Sequence, residues 1–208
     1  MIFVWTIKKS PYDEVRYSIR SVLKFHPDAE IFLIGDLPKW YIGEGVQMQT
    51  VGTSFQDRTR KNKKALKLFT EFVRMDDDFF LLEPFQISHY YYGYIKDRVK
   101  MCKGRTIRQE LLSNAYNLFP DAYDYNQHTP LPVYSPTINK LPHRVAFKQW
   151  YCSVETRYPK VEQKDVKIRS RKESIPDAPF FSTQNNIKYL LPTLEEMYPD
   201  VSYCENDR

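Results

Sequence analysis

No apolar run in this sequence approaches the roughly 18 residues that a membrane-spanning helix needs, and it contains no internal repeat or low-complexity tract. The three cysteines, Cys102, Cys152 and Cys204, are odd in number, widely spaced and without a CxxC pair. They signal neither a disulfide framework nor a zinc site and read as ordinary thiols. The first residues, MIFVWTIKKS, lack the basic n-region and the small-residue cleavage site of a secretory signal. They read as a first core strand, and the expectation is a soluble, cytoplasmic protein with no membrane partner. What is present is a chain of 208 residues, 42% hydrophobic and 15% aromatic, which fits one globular domain with a substantial core. Sixteen tyrosines and 14 prolines point to many loops and many aromatic surfaces.

The net charge of +5 is modest but unevenly spread. DRTRKNKK (57–64) carries five basic residues against one acid, and KDRVKMCKGR (96–105) and KIRSRK (167–172) are also basic. Such clusters suit phosphate-bearing partners, a nucleotide or a nucleic acid. A solvated Lys/Arg face is the plainer alternative for each.

Hydrophobic periodicity orders the first half of the chain. Ile2 to Ile7 is a continuous apolar run that fits a strand buried on both faces of a parallel sheet. Val15, Ile19, Val22 and Leu23 then fall at helical spacing, with Arg16, Arg20 and Lys24 on the opposite face, until His26-Pro27-Asp28 stops the helix. AEIFLIGD gives a second buried strand, which completes a βαβ unit. Ligands of such sheets bind beyond the carboxyl ends of the strands, where Lys8 and Asp36 lie. VQMQTV is a short third strand, KNKKALKLFTEF a helix, and FVRM the strand it leads to. Further on, the pattern predicts a strand near Arg98–Met101, a helix over Ile107–Leu118, a Pro-rich section PLPVYSPTINKLP, a charged helical segment, and a C-terminal helix near Asn186–Met197.

In FVRMDDDFFLLEPF, Asp76, Asp77 and Asp78 stand side by side where an apolar strand ends. Like charges that close repel by more than about 1 kcal/mol once they leave bulk water, so a cation is expected among them. Mg²⁺ and Mn²⁺ are hard ions that favour carboxylate oxygens and share their shell with water and substrate phosphates. Residues i and i+2 of a strand point to one side, so Asp76 and Asp78 can hold the ion together, while Asp77 points away toward a backbone amide or a sugar hydroxyl.

The N-terminal apolar strand, the block YSIRSVLKFHPDAEIFLIGDLPKW, the basic TRKNKKAL and MDDDFFLL together resemble a GT-A-fold glycosyltransferase, a nucleotide-diphospho-sugar transferase with a DxD motif. More distantly they are similar to the Stealth-type sugar-phosphate transferases. The resemblance is best over residues 1 to 90, with a second patch at QHTPLP (127–132), and the chain is short for the group. It implies an α/β, Rossmann-type, mostly parallel sheet flanked by helices in a single domain over 1–208, with a nucleotide-sugar-binding half at 1–90 and an acceptor-binding half at 91–208. It implies a hexosyltransferase in which Asp76 and Asp78 hold Mn²⁺ or Mg²⁺ and the donor diphosphate, most simply that of a UDP-sugar. Lys8, Asp36, Arg60, Asn62, Lys63 and Asp77 would then bind the nucleotide-sugar. The proton of the acceptor hydroxyl needs a base, and His128 and Asp177 are the candidates; His128 is equally readable as a third metal ligand or a hydrogen-bonded core histidine.

The acceptor is less defined. A small basic transferase without an anchoring helix suits a polyanionic acceptor, and a hydroxymethylated base of bacteriophage DNA, modified in the host cytoplasm, is one expectation. A surface glycan, reached by glycosyl or sugar-phosphate transfer, is a second. A non-catalytic nucleic-acid-binding module, in which basic clusters grip a backbone and tyrosines stack on bases, is the alternative from another class. Three clustered carboxylates would repel the phosphates of such a partner.

Overall fold

The computed structural model describes residues 1–10, 13–101, 106–125, 128–138, 145–170, 172–183 and 187–206. Two compact units divide the chain: the first comprises Met1–Gln86, His128–Val133 and Val166–Arg208, the second Ile87–Gln127 and Tyr134–Asp165.

The first unit is built on a sheet of five strands, in the order β3-β2-β1-β4-β7. These are β1 (Ile2–Ile7), β2 (Glu30–Gly35), β3 (Glu44–Gln47), β4 (Glu71–Met75) and β7 (Leu131–Tyr134). β1 pairs in parallel with β2 on one side and β4 on the other, and β2 pairs in parallel with β3. The class is thus mixed α/β with a mostly parallel central sheet, as expected. Phe3, Val4, Trp5, Leu33 and Ile34 are fully buried, which is why β1 and β2 read as unbroken apolar runs rather than alternating ones. At the end of β2, Gly35 has φ +146° and a Cβ there would sit 2.0 Å from the Ile7 carbonyl oxygen, so only glycine lets the two strands end this close together.

Helix α1 (Glu14–Phe25) buries Val15, Ile19 and Val22 and also two polar residues, Ser18 and Ser21. These serines are fasteners. Trp5 Nε1 donates to Ser18 Oγ at 2.8 Å, Ser18 Oγ donates to the carbonyl of Phe79, and Ser21 Oγ accepts from the Leu81 amide at 3.0 Å. β5 (Phe79–Leu81) is thereby tied to α1, and Tyr198 O–H closes the other side by donating to the Leu81 carbonyl at 2.6 Å, just beyond α6 (Ile187–Met197). β5 pairs antiparallel with β10 (Phe180–Thr183), which pairs in parallel with β9 (Lys167–Ile168). Phe80 and Phe181 stack at 4.9 Å between ring centroids in this second core.

Helix α2 (Ser54–Leu68) begins well before the expected KNKKAL. Thr53 and Gln56 form a capping box that supplies the first orphan amides with partners and fixes this earlier start. The helix ends at Leu68, because Glu71 to Met75 is drawn into the sheet as β4. β7 lies within the section read as merely Pro-rich. Its place at the sheet edge leaves Pro132 with no ladder amide to supply.

The second unit holds β6 (His89–Tyr91) paired in parallel with β8 (Lys160–Glu162), together with helices α3 (Ile95–Met101), α4 (Ile107–Leu118) and α5 (Phe147–Val154). The expected strand near Arg98–Met101 is instead part of α3. Ile95 is the buried residue of this segment and Met101 is exposed, so no strand face is covered. α4 occupies the expected Ile107–Leu118, with Thr106 and Gln109 as its capping box. Among the described residues no helix is long and apolar enough to cross a membrane.

The basic face expected of α1 is put to use within the fold. The Glu205 side chain is fully buried; it accepts from Arg20 at 2.8 and 2.7 Å and from the Ser202 amide and hydroxyl at 3.1 and 2.9 Å. Burial alone would raise this carboxyl, but the Arg20 and Ser202 hydrogen bonds override it and hold it below the usual carboxylate range. Glu205→Gln is expected to lower stability by about 3 kcal/mol at neutral pH by leaving Arg20 half-buried without its counter-ion. Because the folded-state value is depressed, the stability Glu205 contributes is full above about pH 4 and is lost as pH falls further. Urea unfolding of both proteins from pH 7 down should therefore show the gap closing in acid.

Candidate active site

The parallel order 3-2-1-4 reverses direction at β1, and the crevice beyond the carboxyl ends of β1 and β4 is where an open α/β sheet accepts ligands. Lys8 follows β1 and Asp76 follows β4 at this place. The strand stops at Met75, and Asp77 and Asp78 form a turn before β5. The strand alternation that predicted Asp76 and Asp78 facing one way therefore does not extend through the triplet. The turn is gripped at both ends, by β4 in the sheet and by β5 on the serines of α1.

Each aspartate meets a different environment. Asp76 is buried and lies against the equally buried guanidinium of Arg74, two residues earlier in β4, while exposed Arg58 stands 3.8 Å from its Oδ2. Burial favours its neutral form, but Arg58 and Arg74 outweigh that and hold its carboxyl well below the usual range. Asp77 has a buried oxygen, Oδ2, without a hydrogen-bond partner. Burial, then the charge of Asp76, push the Asp77 carboxyl up. The carboxyl of Asp78 is pushed well up by burial and by Asp76 and Asp77, with Lys167 4.0 Å away as its partial counter-charge. Glu14, at the start of α1, belongs to the same cluster: burial and Asp77 raise its carboxyl to about 7, with Lys8 acting in the opposite direction.

Lys167 arrives through the small sheet. It lies beside Ser182 of β10, and Ser182 lies beside Phe79, the residue after Asp78. Its ammonium is 3.3 Å from Nε2 and 3.4 Å from Nδ1 of His128, whose ring meets Phe79 edge-on at 6.4 Å. An ammonium has only donors, so a hydrogen bond between the two makes the imidazole nitrogen the acceptor. His128 is thus brought to the triplet. Asp177 is not: it is exposed and lies beyond the Leu81 end of the β5–β10 ladder, away from Asp78.

The other residues expected at a nucleotide site are distributed around the neighbouring loops. Asp36 accepts from Thr50, at 2.5 Å from its hydroxyl and 3.3 Å from its amide. Arg60 is spent on the Gln49 carbonyl and on Asp57, Asn62 is buried, and Lys63 is exposed. The basic run contains an internal strut that the sequence reading did not isolate. Lys61 is 1% exposed, donates to the Ile7 carbonyl at 2.6 Å and to Asp57 Oδ2 at 2.5 Å, and so clamps α2 beneath the end of β1. Its i,i+4 spacing from Asp57 was the available signal. Arg58, Arg74, Glu14 and Lys167 were also missed; only Arg74 had a local cue, the i,i+2 spacing to Asp76.

Among the described residues, no group of three or more His, Cys, Asp and Glu is arranged to close a metal site by itself. A hard divalent ion does not require one, since one or two carboxylates with water and phosphate oxygens suffice. The buried, unpartnered Asp77 Oδ2 beside Asp78 fits such a shared site. The three positions should separate by stability. Asp76→Asn leaves Arg74 buried without its anion and is expected to cost about 3 kcal/mol, whereas Asp78→Asn removes repulsion and should leave the thermal midpoint unchanged or higher; calorimetry on both variants checks the order.

No protein-family model matches the chain, and no curated protein matches it. Among solved structures it is similar to the apo-form glycosyltransferase GlyE of Streptococcus pneumoniae, with a TM-score of 0.36 and 11% identity over 77% of this chain and 44% of that one. It is also similar to the galactosyltransferase LgtC in complex with donor and acceptor sugar analogs, with a TM-score of 0.36 and 10% identity over 99% of this chain and 67% of that one. An active-site mutant of LgtC aligns over the same shares with a TM-score of 0.40 and 12% identity. The chain thus spans less than half the length of GlyE and about two thirds that of LgtC.

Proposed function

We propose that this chain is a glycosyltransferase that moves a sugar from a nucleotide-diphospho-sugar to an acceptor hydroxyl, with Mn²⁺ or Mg²⁺ at the Asp76–Asp78 turn. The observation that carries the reading is the buried, unpartnered carboxylate oxygen of Asp77 within an acidic turn at the carboxyl end of β4, ringed by Lys8, Arg58 and Lys167. Carboxylates alone would repel a diphosphate, and cations alone would not call for three acids; a metal–diphosphate pair satisfies both.

In the reaction the bond between the anomeric carbon and the phosphate oxygen breaks, and its electron pair leaves with the nucleoside diphosphate. The acceptor oxygen forms the new bond, and its proton passes to a base. The divalent ion, when bound, neutralises charge growing on the diphosphate. Asp77 and Asp78 would hold it, and Asp76 can lend Oδ2 when exposed Arg58 swings from it to a phosphate. Lys8 and Lys167 would stabilise the same developing charge. His128 is the base candidate at the turn, its lone pair hydrogen-bonded to Lys167 until a substrate displaces that contact. Asp36 would bound the nucleotide side of the crevice, with Lys63 on the exposed face of α2. Asp177, being remote from the turn, is the weaker base candidate.

The acceptor follows from less. The DNA reading rests on three basic runs, and in the first of these Lys61 is turned into the fold and Arg60 is bonded to a carbonyl and to Asp57. A glycan hydroxyl is the acceptor that the remaining cations do not argue against. The test is incubation with UDP-sugars, Mn²⁺ and a panel of oligosaccharides and hydroxymethylpyrimidine DNA, read by added hexose mass. Mn²⁺-dependent release of UDP, with Asp78→Asn reduced at least about a hundredfold, is expected. No donor turnover with any sugar or metal would overturn the reading.

A further inference from the structure

The second unit contains a cavity of about 340 Å³ lined by Phe119, Asp121, Tyr123, Tyr125, Ser153 and Lys160, among others. We propose that it is a binding site for one neutral hexose ring. It does not depend on the chemistry proposed for the Asp76–Asp78 turn.

The cavity walls are built rather than incidental. Gln149, 1% exposed, accepts from the Tyr125 amide at 2.8 Å and donates to the Tyr123 carbonyl at 2.7 Å, which locks both tyrosines through their backbones. The same helix presents Ser153, whose hydroxyl donates to the Gln149 carbonyl at 2.8 Å, accepts from Gln149 Nε2 at 3.4 Å and keeps one lone pair to accept. The rings of Tyr123 and Tyr125 stand at 87° to each other, with centroids 6.2 Å apart. One face of Tyr123 is taken by Tyr91, stacked at 3.9 Å. The two tyrosines thus form a corner, not an open platform.

Tyr125 is 1% exposed, and its buried hydroxyl has no hydrogen-bond partner. A buried phenol is normally paired; this one is turned inward, toward fully buried Cys152, so Tyr125 contributes its ring to the cavity wall. Around it the polar groups are mixed: a carboxylate at Asp121, a hydroxyl at Ser153 and an ammonium at Lys160, 5.9 Å over the Tyr125 ring.

The mixture selects the ligand. A phosphate would meet the Asp121 carboxylate, and a nucleobase needs a free flat face of the kind that Tyr91 already covers. A pyranose chair presents C–H groups to aromatic walls and, around its rim, hydroxyls that both donate and accept. That is the set of partners Asp121, Ser153 and Lys160 require. The volume is at the small end of the roughly 300–1,000 Å³ of ligand pockets, which suits a single ring.

The test is saturation-transfer NMR and titration calorimetry on the full chain, without metal, using methyl α-glucopyranoside and methyl β-galactopyranoside as probes. Binding of at least one hexoside is expected. It should weaken about tenfold in Asp121→Asn, an exposed and near-isosteric change, and in Ser153→Ala, which removes a hydroxyl from the cavity lining. Binding should persist in Asp78→Asn, which removes the donor response only, so failure of this site and failure of the glycosyltransferase reading are separately visible. Absence of hexoside binding into the millimolar range, binding unchanged in both cavity variants, or displacement by thymidine at lower concentration than by hexoside would each overturn the proposal.

Discussion

Three carboxylates in one turn, with Glu14 nearby, are a concentration of like charge that the fold holds in place against its own repulsion. The turn cannot relax outward because its two ends are fixed by unrelated interactions: β4 in the parallel sheet, and β5 on Ser18, Ser21 and Tyr198. Compensation is local and uneven. Asp76 is neutralised by Arg74 and Arg58, while Asp77 keeps an unpartnered oxygen and Asp78 has Lys167 4.0 Å away as a partial counter-charge. The outcome is one depressed and two raised carboxyls within three residues, a separation of roles that structural ion pairs alone do not call for.

Much of the first unit serves this arrangement. Lys61 fastens α2 to the last carbonyl of β1, and that helix carries Arg58 to Asp76. The short ladder of β9, β10 and β5 carries Lys167 to Asp78, although nearly ninety residues separate them in sequence. Asp36 and Thr50 order the loop that follows β3. A cation entering the turn would then replace repulsion by coordination without moving the backbone that surrounds it.

The βαβ opening and the place of the acidic triplet were legible because their signals are local: unbroken apolar runs, a helical repeat between them, and acids at a strand's end. The counter-charges were not, because register across the sheets decides them. Nothing near Lys167 points to Asp78, and nothing near His128 points to either. The basic run 57–64 read either as a phosphate-facing cluster or as a solvated face; the helix turns successive residues to different sides, so Arg58 reaches the turn while Lys61 is buried under β1. The strand expected near Arg98–Met101 is helical; four residues cannot distinguish a strand from the end of a short helix. Thr53, followed three residues later by Gln56, would have placed the start of α2, just as Thr106 and Gln109 mark the start of α4.

The central claim is that the acidic turn takes a divalent cation together with a diphosphate. Electron paramagnetic resonance of Mn²⁺ titrated into the full chain, with and without UDP, measures this directly. The account predicts weak binding of Mn²⁺ alone, binding at least about tenfold tighter with UDP present, and loss of that coupling in Asp78→Asn. UDP that leaves Mn²⁺ affinity unchanged, or coupling that survives the substitution, would contradict it.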